Sequence, residues 1–373
     1  MPWIHLNIDF KGQVKACCVS SITYGNINRQ SVNDIWKGKQ IQQIRKQFLK
    51  GEVDNRCLVC INREKSGAKS LRQETFENYS FVNIVDNPKP IYFDIRFSNV
   101  CNFKCRTCWH GASSKWFEDA KKLKSTASKH AIIKNIEDVK YFIFKNENYL
   151  INAKEIYFAG GEPLVTEEHY WLLEFLLENH QNLNQLKLRY NTNFSVLKFK
   201  NYDVLDFWKY FKVVEIQASI DESEQLGEYI RKGFNWQTFL SNLSKVKSYK
   251  NIKFKIAPTV SVFNVKTLPS FYQLCVSQNM IDPKHFYINL LDRPYHYNCK
   301  ALSPLQKQKI NQVYTEFYQW CEQNKTDHSI VKQFKAVQSF MNADDYYDKH
   351  YQKFLKITQQ LDDIRKETFS QIE

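Results

Sequence analysis

From Pro90 onward the chain alternates short two-residue periodicity with longer helical periodicity. In IYFDIRFS, Ile91, Phe93, Ile95 and Phe97 fall on one face, and Tyr92, Asp94, Arg96 and Ser98 on the other. KEIYFAGG is a short strand ending in glycines. LKLRYNTN sets Leu186, Leu188 and Tyr190 against Lys187, Arg189 and Asn191. VEIQASID sets Val214, Ile216, Ala218 and Ile220 against Glu215, Gln217, Ser219 and Asp221. IKFKIAPTV and HFYINLL complete six predicted strands. Helices are predicted between them: from Thr166 through EEHYWLLEFLLENH, with an acidic first turn, and over 204–211, 236–249 and 265–278.

Strands that alternate with helices predict βα units and a parallel sheet. A parallel sheet covered on both faces reads as continuously apolar. Here one face is repeatedly polar, which predicts a curved sheet looking into a wet or ligand-filled cavity. The expected fold is α/β, a partial (β/α)6 TIM-like barrel. Polar motifs gather at the strand ends. CNFKCRTC follows the first strand and GGEP (160–163) the second. NTN (191–193), SID (219–221) and APTVS end the third, fourth and fifth. In a βα barrel that edge carries the active site.

The ends of the chain read differently. HLNIDFKGQVKACC predicts a hairpin with a Lys-Gly turn. NDIWKGKQIQQIRKQFLKGE predicts one amphipathic helix carrying Ile35, Trp36, Ile41, Ile44 and Phe48, followed by CLVC. After Lys300 the pattern turns helical, with Ser303 as N-cap, Pro304 in the first turn, and two further amphipathic runs. Three segments are expected: 1–88, 89–300 and a helical extension over 301–373, which serves either as packing or as a substrate lid.

Charge adds little to this picture. The 373 residues carry a formal charge of +14. That suits a solvated Lys-rich surface or a polyanionic partner. The longest basic cluster is only KKLK at 121–124, which favours the first. No run approaches the roughly twenty apolar residues of a membrane span, and the first residues lack a secretory layout. A cytoplasmic location is expected, with the ten cysteines as thiols or metal ligands rather than disulfides.

The cysteines carry the chemistry. Cys101, Cys105 and Cys108 are spaced C-x3-C-x2-C. A structural zinc site uses four ligands and a disulfide two. Cys thiolates hold [4Fe–4S] clusters, usually in fours. Three leave one iron open, as catalytic metals require. His110 is too near in sequence to complete the set. Cys17, Cys18, Cys57 and Cys60 form a second group. Cys275 and Cys321 sit in apolar helical runs as small hydrophobes, and Cys299 reads as inert.

CNFKCRTC after a strand, GGEP after the next, then TN and S-x-D strand ends, together resemble the radical S-adenosylmethionine superfamily over residues 90–300. The resemblance implies that Cys101, Cys105 and Cys108 ligate a [4Fe–4S] cluster whose fourth iron takes the methionine end of the cofactor. It implies that Gly160, Gly161 and Glu162 meet the methionine amino group. Ser219 and Arg231 would contact ribose and carboxylate, and Asn191 and Asn193 cofactor or substrate. The residue before the third cysteine is usually large in this family. Here it is Thr107, so Trp109 or Phe103 would have to supply the adenine surface.

The N-terminal pattern G-x4-C … W … IR … C-x2-C … G … S-x-R resembles the twitch/SPASM auxiliary-cluster domain, placed before the barrel instead of after it. It implies a second iron–sulfur cluster on Cys17, Cys57 and Cys60, with Cys18 a doubtful fourth. A zinc ribbon on these four cysteines stays open. The resemblance further implies an electron donor such as flavodoxin or ferredoxin. It implies hydrogen abstraction from a substrate, a peptide or protein before a sugar or nucleotide derivative. A reading of another class is a zinc-containing nucleic-acid-binding protein, which the basic charge and aromatics would also suit. Such a module has no need of GGEP or of polar strand ends.

Overall fold

The computed structural model describes residues 1–52, 54–65, 70–79 and 88–369. Gly67, the glycine before S-x-R, lies outside them. The N-terminal hairpin forms as β1 (His5–Ile8) and β2 (Gln13–Lys15), and β3 (Thr23–Asn26) extends it. Its turn puts Lys11 and Gly12 in left-handed backbone, at φ 57° and 77°. A Cβ on Gly12 would come within 2.8 Å of the Asn135 carbonyl, so only glycine fits.

The single helix expected after the hairpin is broken into α1 (Val32–Trp36) and α2 (Lys39–Leu49). Ser31 starts the first with a capping box to Asp34, and Gly38 restarts the chain as N-cap of the second. Then follow α3 (Leu58–Lys65), α4 (Leu71–Asn78), β4 (Tyr92–Ile95), α5 (Phe117–Lys122), α6 (Val139–Lys145) and α7 (Glu147–Leu150). The alternation continues with β5 (Glu155–Phe158), α8 (Glu167–Asn179), β6 (Lys187–Thr192), the small pair β7 (Lys198–Phe199) and β8 (Tyr202–Asp203), and α9 (Val204–Trp208). It runs on through β9 (Val213–Ala218), α10 (Glu224–Ile230), α11 (Trp236–Val246), β10 (Ile252–Ile256), β11 (Thr259–Val260), α12 (Leu268–Ser277) and β12 (Asn289–Leu290). Three helices end the chain: α13 (Pro304–Gln323), α14 (His328–Ala343) and α15 (Tyr347–Arg365). The fold is mixed α/β with a mostly parallel sheet and a helical C-terminus, as a partial TIM-like barrel requires. Among the described residues no helix is long and apolar enough to cross a membrane.

The chain forms two compact units. The first holds residues 1–101, 130–191 and 198–214, and the second holds 102–129, 192–197 and 215–373. In the first, the strands run in the order β6-β5-β4-β1-β2-β3. β6, β5, β4 and β1 are parallel, whereas β2 and β3 are antiparallel. The hairpin thus joins the parallel strands through β1, a long-range pairing that local periodicity does not reveal. Register puts Leu6, Phe93, Ile156 and Leu188 in one row. All four are at most 1% exposed, each stabilising the sheet by about 2 kcal/mol on leaving water.

In the second unit β9 and β10 are neighbours, and β11 pairs with β12 in parallel. HFYINLL yields less strand than its pattern predicts: an isolated bridge at Phe286 and the two residues of β12. The ladder runs through Tyr287 N–H to Ile256 O and Asn289 N–H to Pro258 O, both at 2.9 Å, but Pro258 has no N–H to continue it. On the other edge the Gln333 amide of α14 accepts from the Ile288 N–H at 2.9 Å and donates to the Phe286 carbonyl at 3.0 Å.

Candidate functional site

The polar face of the first unit's sheet is one register row: Asn7, Asp94, Tyr157 and Arg189, on β1, β4, β5 and β6. Asn7 and Asp94 are buried, and burial raises the Asp94 carboxyl above its ordinary range. Arg96 lies 3.5 Å from Asp94 and 3.7 Å from Asp9, and Lys15 holds Asp9 at 2.6 Å. Arg189 reaches Glu74 at 3.2 Å and Glu155 at 3.6 Å. This is the polar face that the alternation predicts.

At the carboxyl ends of these strands sit Cys101, after β4, and the GGEP turn, after β5. Gly160 and Gly161 both take left-handed backbone, φ 76° and 52°. A Cβ on Gly161 would stand 2.2 Å from the Val100 carbonyl oxygen. The Glu162 N–H donates to that same oxygen at 2.8 Å. The two glycines let the turn close on the residue that precedes Cys101. The Glu162 carboxylate is buried and caps the following 3-10 turn by accepting from Leu164 N–H. Asn191 carries a buried amide oxygen that makes no hydrogen bond in the structure.

The rest of the cysteine loop belongs to the second unit. Its backbone is pinned beside the end of α10: Lys104 N–H donates to Lys232 O at 2.9 Å, and Arg106 N–H to Ile230 O at 2.7 Å. That pairing brings Arg231 to Cys105. One guanidinium arm is 3.7 Å from the Cys105 sulfur, and another donates to Asp221 at 2.8 Å. Asp221 also accepts from the Thr259 N–H at 2.8 Å. Arg231 Nε is buried with no hydrogen bond, as is one Asp221 oxygen. Burial pushes the Cys105 thiol up, against the pull of Arg231, and pushes Cys108 up to about 12, so bound metal would displace their protons.

Other predicted residues have clear places. Asn193 donates to Asn102 at 2.8 Å and accepts from Ser195, tying the end of β6 to the cysteine loop. Ser219 is half-buried, its N–H bound to Thr192 O at 2.8 Å. Phe103 is buried against Phe234, whereas Trp109 is 54% exposed, so only Trp109 offers a ring face to a ligand. His110 is buried and accepts from Ala127 N–H, outside any ligand set. Cys275, Cys299 and Cys321 are buried. Asp221 is the residue that sequence reasoning missed. Its signal was present in S-x-D, but its role as holder of Arg231 depends on a fold-level contact.

In the N-terminal region a cavity of about 360 Å³ is lined by Cys17, Cys57 and Cys60, with Tyr24, Phe48 and Arg72 among its walls. Burial pushes the Cys17 thiol up to about 11 and raises Cys57. Cys18 is outside this lining; the charged groups acting on it are Asp94 and Arg96 of the polar sheet face. Among the described residues no three His, Cys, Asp or Glu side chains converge as they would on a single ion. The ligands of a four-iron cube bind separate irons and stand farther apart. Three thiols around a cavity fit such a cluster. In the second unit, the thiols of Cys105 and Cys108 and the buried Nε–H of Arg231 suit a cluster beside a carboxylate-bearing ligand; in the first, the glycine turn closes beside Cys101.

Residues 1–61 match the SPASM family model, an iron–sulfur cluster-binding domain. Over 186 residues the chain is 26% identical to the S-adenosylmethionine-dependent nucleotide dehydratase RSAD2 of Danio rerio. The match covers 48% of this chain and 44% of that protein, so the chain spans less than half of its curated relative. Among solved structures, native anSMEcpe with bound AdoMet aligns with 17% identity and a TM-score of 0.42, covering 64% of this chain and 61% of that one. SuiB of Streptococcus suis bound to S-adenosylmethionine aligns with 15% identity and a TM-score of 0.38, covering 77% and 59%. The chain thus carries a SPASM match over its first 61 residues and is similar, across about half its length, to an S-adenosylmethionine-dependent protein.

Proposed function

We propose that the chain is a radical S-adenosylmethionine enzyme with a catalytic [4Fe–4S] cluster on Cys101, Cys105 and Cys108 and an auxiliary cluster in the N-terminal cavity. The observation that carries this is the closure of the Gly160–Gly161 turn onto Val100, at 2.2 Å from where a Cβ would sit. Such an approach serves a ligand that must meet backbone groups beside Cys101. A cluster held by Cys101, Cys105 and Cys108, reduced by a flavodoxin or ferredoxin, would supply one electron to S-adenosylmethionine for the radical chemistry by which hydrogen is abstracted from a substrate. The protein's own part is to hold and aim. The three cysteines leave one coordination position open. Arg231, steadied by Asp221, presents a buried N–H donor to a carboxylate. Trp109 offers its exposed ring to adenine. The row Asn7, Asp94, Tyr157 and Arg189 forms a polar wall for the substrate.

The substrate proposed first is a peptide or protein, as for many auxiliary-cluster enzymes. The similarity to a nucleotide dehydratase supports a second reading, a nucleotide. Anaerobically purified protein, supplied with dithionite and S-adenosylmethionine, is expected to form 5′-deoxyadenosine. Replacing Cys101, Cys105 and Cys108 by Ala should abolish it. Product formation by the triple variant, or a colourless zinc protein without sulfide that shifts DNA, overturns the reading.

A further inference from the structure

The C-terminal extension reaches the cysteine loop through buried charge. Arg106, between Cys105 and Thr107, is fully buried. Its guanidinium lies 3.6 Å over the Tyr229 ring and donates to the Tyr229 carbonyl at 3.2 Å. Its other arm donates to Asp362 of α15 and, at 2.7 Å, to Glu367 just beyond that helix. Tyr229 Oη donates to Asp362 at 2.9 Å, and Phe369 stacks on Tyr229. A second chain of contacts starts at Arg365, one helical turn on. Its Nε donates to Asp119 at 2.8 Å, and Asp119 accepts from Lys104 at 2.9 Å. Arg365 also covers Trp116, whose Nε1 donates to the Cys105 carbonyl at 2.8 Å. The two chains therefore end on Lys104 and Arg106, the residues flanking Cys105.

Apolar packing would dock a helix at least as well. Buried ion pairs add little net stability, because desolvation offsets the attraction. They do fix geometry, since a guanidinium fork and two carboxylates meet in few arrangements. Around Cys105 five cations (Lys104, Arg106, Arg231, Lys232, Arg365) face four carboxylates (Asp119, Asp221, Asp362, Glu367). The surplus of one positive charge surrounds a loop whose bound form carries negative thiolates.

We propose that α15 is a positioning element for the cluster loop: Asp362, Glu367 and Arg365 fix Cys105 through its two neighbours and set how firmly its cluster is held and at what potential. This rests on the assignment of Cys101, Cys105 and Cys108 as cluster ligands. It gives the extension a role distinct from a substrate lid.

The test uses the full chain, purified anaerobically, in a Cys57→Ala, Cys60→Ala background so that one cluster is read. Iron and sulfide content, the rate at which an iron chelator strips the cluster, and its midpoint potential are measured. Asp362→Asn should speed iron loss roughly tenfold or more, as outer-shell changes do at metal sites. It should also raise the potential, because an anion is removed. Arg365→Gln should move the potential the opposite way. Glu367→Gln, at the half-buried tail, should repeat the Asp362→Asn shift in smaller form and serves if that variant fails to fold. Asp344→Asn cuts a pair with Lys300 elsewhere in the extension and should change neither quantity. A background protein that holds its iron, with variants that alter neither stripping nor potential, overturns the positioning role alone. A background protein without iron and sulfide overturns the cluster assignment itself.

Discussion

The guanidinium of Arg231 stands 3.7 Å from the sulfur of Cys105 while donating to Asp221 at 2.8 Å. One side chain thus touches a proposed cluster ligand and an acid that aims it, and keeps a buried Nε–H that makes no hydrogen bond. In the proposed function Arg231 serves cofactor binding and not cluster assembly. Arg231→Lys keeps the charge and loses the fork. It is expected to weaken S-adenosylmethionine binding roughly 10- to 100-fold, the equivalent of a charged hydrogen bond, with iron content near wild type. Calorimetric titration of the reduced-iron-replete protein reads the first, and iron analysis the second. Unchanged affinity would remove Arg231 from the cofactor site.

Gly161 and Gly51 make a matched pair for testing the cofactor turn. Both have positive φ, 52° and 75°, but a Cβ on Gly51 meets nothing within 4 Å, whereas one on Gly161 meets the Val100 oxygen at 2.2 Å. Gly51→Ala is expected to cost about 1 kcal/mol from backbone strain alone. Gly161→Ala adds the clash and should cost about 1–3 kcal/mol more if the turn stays closed. If the turn opens instead, the cost appears as lost S-adenosylmethionine affinity. Thermal melts and binding titrations of both variants compare the two. Equal behaviour of the pair would mean that the Gly161 turn is not held against Val100.

The site was legible in sequence where chemistry is local. C-x3-C-x2-C, GGEP and the strand-end polar residues all announce themselves within ten residues, and the alternation of IYFDIRFS placed Asp94 and Arg96 on the polar face. What escaped was set by contacts between distant segments. β1 pairs with β4 across some eighty intervening residues, and nothing in HLNI specifies that partner. Nothing within CNFKCRTC marks Arg106 as buried; that follows from Asp362 of α15, 256 positions later. Asp221 was visible in S-x-D, yet its hold on Arg231 depends on the turn after α10. The sixth strand is shorter than its pattern because its ladder breaks opposite Pro258, a residue with no N–H, in the neighbouring segment.

The N-terminal cavity offers a separable test of the auxiliary cluster. Cys57 lines it with Cys17 and Cys60. Cys57→Ala is expected to lower iron per chain toward one cluster's worth while 5′-deoxyadenosine formation without substrate persists in part. Cys18→Ala, outside that lining, should leave iron content alone. Iron and sulfide assays of the two variants decide between them. Complete loss of cofactor cleavage in Cys57→Ala would argue against an auxiliary role, and iron loss in Cys18→Ala would return Cys18 to the ligand set.

Two buried histidines make the first unit sensitive to acid. His169 sits among Phe158, Tyr170 and Tyr190, with Nε2 2.9 Å from the Tyr190 hydroxyl. His5 donates from Nδ1 to the Ala16 carbonyl at 3.1 Å. Burial lowers both from an ordinary 6.5 to about 3. Between about pH 3 and 6.5 the unfolded chain therefore binds more protons than the folded one. Stability rises with pH across that window and is lost as pH falls through it. Above pH 7 both rings are neutral in either state and contribute no slope. At pH 5 each costs about 2 kcal/mol relative to pH 7.5, from the distance to the unfolded value. His169→Gln keeps an amide to meet Tyr190 and cannot titrate. Urea melts at pH 7.5 and pH 5 should show the variant losing about 2 kcal/mol less than wild type between the two. An identical loss would mean that His169 takes up its proton inside the fold, and that the ring is less enclosed than its neighbours indicate.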